Sequence, residues 1–510
     1  MEPQQVLFGA SEEGGKQLFR KTERKIEIVV GIQSLPSTVS ETVASCTRFR
    51  VLIIGKSGVG KSSLINKVFG VAGVDVSNTT RGSASIDQEY VAPDNERFVV
   101  HDSCGFEAAD QNNLKAVRDF ISRRRRMPEL KDQLHAVWLC LAIPFAGARL
   151  LEAGVEDFLK KRKQILGNSG LIPLVVVFTK HDLLVNMLYA DALRNEEVDD
   201  QARIHERELK SLETLCLRPV RAAAGSDCLS HVTVSTTEGY EKSLAALVDV
   251  TTKDIQKYVK DEAVHYIAAI AQRVSISVKI ALTMSVGEKR YWKALTASPN
   301  FHNQSMKVCL DVIHKDVITV WNLNDPKNSL QKDDFKAGLL STPNLRVRDI
   351  ADIQTTTKTS ITVVAALVTI IASVAGTGGA ALPIIVPVAG AAILVKLAHN
   401  IYRTSQDIVK QLMAYIVDLT CVMQAVFLLV SVRNGIVDVE VIAMAKQAYE
   451  KTNRADVHTA INNFEVNLAM APGKRDHVLD KIKELIGSHS VGDEEISNLR
   501  KKLQTSSVPV

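Results

Sequence analysis

Nine consecutive residues, Gly55-Lys56-Ser57-Gly58-Val59-Gly60-Lys61-Ser62-Ser63, bring glycines, lysines and hydroxyls together at a telling spacing. Gly55, Gly60, Lys61 and Ser62 occupy the fixed positions of the pattern G-x-x-x-x-G-K-[ST]. The apolar run Phe49-Arg50-Val51-Leu52-Ile53-Ile54 before it reads as a buried strand. Ser63 to Phe69 after it reads as an amphipathic helix. That context gives the pattern a mechanism. Glycines let backbone N–H groups wrap phosphate oxygens. The helix N-terminus adds the positive end of its dipole. Lys61 is expected to reach the outer phosphates, and the Ser62 hydroxyl to face a magnesium ion.

Two further strand ends carry matching chemistry. Phe98 to His101 is apolar and runs into Asp102-Ser103-Cys104-Gly105, a D-x-x-G pattern. Asp102 can hold Mg²⁺ through a water. Gly105 lets the backbone N–H approach a γ-phosphate. Leu174 to Phe178 is a second buried run and ends in Thr179-Lys180-His181-Asp182, a T-K-x-D pattern. The Asp182 carboxylate accepts two hydrogen bonds, which suits the N1–H and N2–H₂ donors of guanine. Adenine would leave that carboxylate unpaired, at a cost of several kcal/mol, roughly. The Lys180 stem can lie across the base. Between the first helix and the second strand lies Ser77-Asn78-Thr79-Thr80-Arg81-Gly82. Thr80, with Thr79 as alternative, is expected to bind Mg²⁺ and γ-phosphate there. His231 to Thr236 ends the last expected strand, and the Ser235 backbone is expected to face guanine O6.

The ordered set GKSGVGKSS, TTRG, DSCG, TKHD and VSTT resembles the translation-factor-related (TRAFAC) P-loop GTPases of the Era, septin and immunity-related kind. The resemblance covers about residues 48–260. It implies a Ras-like α/β domain that binds GTP or GDP with Mg²⁺ and hydrolyses GTP. The implied nucleotide contacts are Gly55 through Ser63, Asp102, Gly105, Thr179, Lys180, Asp182 and Ser235. Ser62, Thr80 and Asp102 would organise the metal, with Lys61 and Thr80 acting in catalysis. The whole chain also resembles fungal G-domain-containing proteins. Three positions depart from the family pattern. Phe106 stands where many small GTPases carry the Gln that orients water. Gly58 stands where potassium-activated relatives carry Asn. Ser235-Thr236-Thr237 replaces the usual Ser-Ala-Lys.

The chain has 510 residues, 46% of them hydrophobic, and a net charge of +5. That length suits several domains. The charge is too small to argue for nucleic acid. Seven scattered cysteines, without a C-x-x-C, point to a reducing compartment. The first thirty residues show no apolar signal core, so a cytoplasmic protein is expected.

The expected organisation begins with a flexible polar leader over 1–47, with at most one short element. A G domain follows over 48–260, with strands near 48–54, 84–92, 96–102, 134–143, 172–179 and 231–235. Alternating strands and helices imply a mostly parallel sheet covered on both faces. The charged segment 194–214 reads as a solvated helix or a partner-recognition arm. Arg123 to Arg126 favour a helix C-terminus through its negative dipole end, the alternative being contact with anionic lipid.

An all-α region is expected after that: 261–352 helical, 353–455 an apolar hairpin with amphipathic helices, 456–510 a charged helical tail. Within it, Val264 to Met284 reads as one apolar helical stretch and Met306 to Trp321 as another. Residues 359–395 contain no charged side chain, and Gly376 to Gly379 divide them into two arms. The first arm, 361–375, spans about 22 Å as a helix, short of the ~30 Å hydrocarbon core. A Gly-rich turn in lipid would leave backbone groups unpaired. A buried hairpin covered by amphipathic helices such as 405–432 is therefore expected, with a membrane hairpin as the alternative. A protein effector or a homodimer is the expected partner.

Overall fold

The structure is a computed structural model, and it describes residues 37–69, 86–103, 111–145, 147–167, 172–194, 201–225, 229–288, 303–340, 406–433, 435–466 and 477–505. Six strands match the expected ones, the second beginning only at Tyr90, after a turn at 86–87: β1 (Phe49–Ile54), β2 (Tyr90–Ala92), β3 (Asn95–Asp102), β4 (Ala136–Ala142), β5 (Leu174–Thr179) and β6 (Ser230–Thr233). They form one sheet in the order β2-β3-β1-β4-β5-β6. All neighbours are parallel except the edge pair β2–β3. Every residue of β1 and β5 is buried, which is why both read as unbroken apolar runs.

Helices cover both faces. One face packs on α2 (Lys61–Phe69), α8 (Glu241–Tyr258) and α9 (Glu262–Ala271). The other packs on α3 (Gln111–Arg125), α4 (Ala153–Leu166), α5 (His181–Arg194), α6 (Gln201–Leu212) and α7 (Arg218–Ala224). The expected Arg run does end α3, and the protein's own acids absorb part of it. Arg124 pairs with Glu89 at 3.0 Å and lies over the Phe120 ring, and Arg123 pairs with Asp87.

The remaining helices build a second core: α10 (Ile276–Gly287), α11 (Asn303–Trp321), α12 (Asp333–Leu340), α13 (Gln406–Leu429), α14 (Val439–Thr452), α15 (Arg454–Asn463), α16 (His477–Ser488) and α17 (Asp493–Thr505). The 264–284 stretch is two helices, not one. Gln272 makes the break: its Oε1 accepts from the amides of Val274 and Ser275, and the Ser275 hydroxyl then caps α10.

Two further expectations need amending. Residues 405–432 do not form an amphipathic cover. From Val409 to Leu429, α13 is the one helix among the described residues long and apolar enough to cross a membrane, and it is almost wholly buried at the centre of the helical core. The expected hairpin over 361–395 lies outside the described residues. The second amendment concerns the leader. Its part from Ser37 onward is packed: α1 (Thr38–Thr42) sits on α11, with Ser37, Thr38 and the Val39 amide donating to the buried Asp316 carboxylate.

Candidate nucleotide site

Register brings the motifs together. Ile53 of β1 pairs with Asp102 of β3, and the Ser103 amide donates to Ile53 O at 3.0 Å. The D-x-x-G strand therefore ends beside the start of the P-loop. On the other side of β1, Ile54 pairs with Leu139 of β4. Ala142 pairs with Thr179, and Phe178 with Thr233. The carboxyl ends of five parallel strands thus line one edge of the sheet, where open α/β sheets bind ligands.

The P-loop backbone needs its glycines for two separate reasons. A Cβ on Gly55 would sit 2.6 Å from the Cys140 carbonyl oxygen, so β4 leaves no room for a side chain. Gly60 has φ +95°, a left-handed conformation that other residues adopt only with strain. Val59 and Lys61 are buried, whereas Lys56, Ser57, Gly58 and Ser63 are exposed at the rim. Lys61 opens α2, and its Nζ donates to Gly55 O at 3.0 Å and Lys56 O at 3.3 Å. The same ammonium lies 3.7 Å from Asp102 Oδ1, an ion-pair distance too long for a hydrogen bond. Burial pushes the Asp102 carboxyl up to about 6, with Lys61 opposing.

Two buried oxygens here have no hydrogen-bond partner: Asp102 Oδ1 and Ser103 Oγ. Buried polar atoms are rarely left so. A buried carboxylate oxygen of this kind is a ligand type that a hard divalent cation takes. No group of three or more His, Cys, Asp or Glu residues suited to a metal occurs among the described residues. The fit therefore rests on Asp102 and Ser62 alone. Thr80, Gly105 and Phe106 lie outside the described residues.

The T-K-x-D segment is tied to the P-loop. The Thr179 hydroxyl donates to Val59 O at 2.7 Å. Lys180 turns the chain with φ +60°, and α5 starts at His181. Asp182 is held by Ser235, whose hydroxyl donates to Asp182 Oδ1 at 2.7 Å. The Ser235 amide donates to the Ser243 hydroxyl at 3.3 Å, and its side chain is buried to 1% exposure. Three features escaped sequence reasoning. His181 Nε2 meets Glu208 of α6 at 2.7 Å, so the charged helix abuts the site. Lys56 pairs with Glu152 at 3.2 Å and ties the P-loop rim to the start of α4. Cys140 forms the wall behind Gly55. None of the three has a local sequence signature.

Residues 50–180 match the family model described as 50S ribosome-binding GTPase. The chain carries a P-loop GTPase domain. This domain is 28% identical over 138 residues to GTPase Der of Clostridium novyi, covering 26% of this chain and 28% of that protein. Over 207 residues the chain is 19% identical to the tRNA modification GTPase MnmE of Blochmanniella pennsylvanica, covering 40% of this chain and 42% of the relative. The chain thus spans less than half the length of these curated relatives. Beyond the GTPase domain, residues 329–500 match a model described as a domain of unknown function (DUF8505). That match runs from the end of the α11–α12 connection into α17, through the helical core.

Proposed function

We propose that the chain binds GTP and GDP selectively with Mg²⁺, hydrolyses GTP, and uses the change to alter its helical region. The observation that carries this reading is the Asp182 carboxylate. It is fixed by the Ser235 hydroxyl on a segment that Thr179 anchors to the P-loop. Base selection and phosphate binding are thereby one rigid unit. A rotating carboxylate would accept donors from many directions. A fixed one selects the paired donors of guanine.

Within this reading Lys61 and the P-loop amides neutralise phosphate charge. Ser62 and Asp102, with Thr80 from sequence, would hold Mg²⁺. When bound, that ion supplies charge neutralisation at the β- and γ-phosphate oxygens. Lys61 is already aligned by two carbonyls of the P-loop, which lowers the cost of ordering it on a phosphate. No general base is assigned, and positioning with electrostatics supplies most of the rate in this reaction class. We place the protein in the cytosol, from its cysteine usage, with a protein effector or a second copy as partner and the translation-factor-related subclass as its lineage.

A second reading follows from Phe106, which cannot hydrogen-bond the attacking water. It is a GTP-binding scaffold with negligible turnover. Multiple-turnover phosphate release separates the two. Steady release above the uncatalysed background supports the hydrolase, and binding without release supports the scaffold. A membrane role through 361–395 is the third reading, tested by flotation of the full chain with liposomes.

A further inference from the structure

Two elements leave the phosphate site and end at the same place. Helix α2 starts at Lys61 and ends at Phe69, and strand β3 ends at Asp102 and starts at Asn95. The Asn95 side chain is 2% exposed. Its amide nitrogen donates to Phe69 O at 3.1 Å and to Ala271 O at 2.8 Å, the final residues of α2 and α9. Its Oδ1 accepts from Asn322 Nδ2 at 3.2 Å, one residue beyond α11. Next to it, Arg273 pairs with Asp94 at 2.7 Å while its backbone amide donates to Val68 O at 3.0 Å. Lys279, fully buried, donates to Ile270 O at 2.8 Å and Val320 O at 3.0 Å in the last turns of α9 and α11.

The C-terminal ends of three helices therefore converge on the β2–β3 turn. Helix C-termini expose unpaired carbonyls and the negative end of the dipole. Donors from three separate segments satisfy them. One of these helices, α2, belongs to the phosphate site. Another, α11, belongs to the helical core, and α9 contributes to both cores.

We infer that this junction transmits the state of the phosphate site to the helical region, with Asn95 as the positioning residue that couples them. The inference rests on the nucleotide-switch reading above. From Lys61 to Phe69 is about 12 Å of helix, and from Asp102 to Asn95 about 23 Å of strand. Close-packed elements of this kind move as bodies, so a shift at the phosphate end arrives at the junction. There it meets contacts that are made or broken. One amide group bridges two helix ends, and sliding α2 against α9 by about 1 Å takes one of its bonds beyond hydrogen-bond reach. The coupling is reciprocal: whatever binds the helical region changes nucleotide affinity by the same factor.

The test uses hydrogen–deuterium exchange on the full chain, with GDP and with a non-hydrolysable GTP analogue. In the native protein, amides in the last turns of α9 and α11 exchange at rates that differ about fivefold or more between the two nucleotides. Asn95→Ala shrinks that difference below about twofold while both nucleotides still bind. A purely structural cap would instead raise exchange equally in both states. Asn322→Gly keeps the left-handed backbone at 322, φ +48°, and removes only the amide. It shrinks the difference too, and it carries the test if Asn95→Ala does not fold. Either variant binding both nucleotides with the native difference intact overturns the inference and leaves the switch reading standing. A native protein that binds both nucleotides and shows no difference overturns both.

Discussion

In the proposed reading, Asp182 can select a base only as well as it is held. Its holder is a serine 53 residues further along the chain, 2.7 Å away. Removing one hydrogen bond to a charged group costs about 1.5–3 kcal/mol. Ser235→Ala should therefore weaken GTP binding by about tenfold or more, and leave ATP binding unchanged. Titration of the purified variant with both nucleotides checks this, and equal losses for both would place Ser235 outside base selection. In the same proposal Lys61 answers to a different part of the ligand. Lys61→Ala should abolish tight triphosphate binding while the variant still folds, with denaturant unfolding remaining a single cooperative transition. Native GTP affinity in that variant would refute the phosphate role. The positions Gly55, Gly60, Lys61, Asp102 and Asp182 were legible because motif spacing marks them by residue type alone, although the wall that bars a Cβ at Gly55 comes from distant Cys140. The Ser235 hydroxyl was not, because its partner is brought to it only by the β5–β6 pairing.

Among the elements, α13 shows what hydrophobic patterning conceals. An almost continuous apolar helix carries Asp418 at 1% exposure. Tyr449 donates to its Oδ1 at 2.8 Å, Arg454 Nε lies 3.1 Å from its Oδ2, and His458 Nε2 lies 3.0 Å from the same oxygen. The carboxylate thus pins α14 and α15 to the central helix. A buried charge that loses its counter-charge typically costs 3–5 kcal/mol. Asp418→Ala should destabilise the chain by about that amount in denaturant unfolding, and a loss under about 1 kcal/mol would show that the network does not hold the helices. The α9–α10 break was equally hidden. Apolar residues continue at helical spacing on both sides of it, and the turn depends on the Gln272 side chain bonding forward, its amide donating to Ser275 O and its oxygen accepting from Ser275 N. Strands β1, β4 and β5 were readable because central parallel strands are apolar on both faces.

At the scale of the whole molecule, the described N-terminal segment is bound to the helical region through Asp316. Burial pushes this carboxyl up to about 6 from 3.8, against the hydrogen bonds from Ser37, Thr38 and Val39. The folded value lies above the unfolded one. Its contribution to stability is therefore fully present below about pH 4 and is lost as pH rises through about 6. The stability of the native protein relative to Asp316→Asn should fall by about 3 kcal/mol at most across that window. A pH-independent difference in unfolding free energy would contradict it. Guanine selection by a rigid site can be tested in the full chain with one experiment. GTP and ATP affinities are measured with Mg²⁺ on a single preparation, with Asp182→Asn beside it. The account predicts that GTP binds tighter than ATP by about a thousandfold or more, and that the variant loses this preference and gains affinity for xanthine nucleotides. Equal binding of GTP and ATP by the native protein would contradict it.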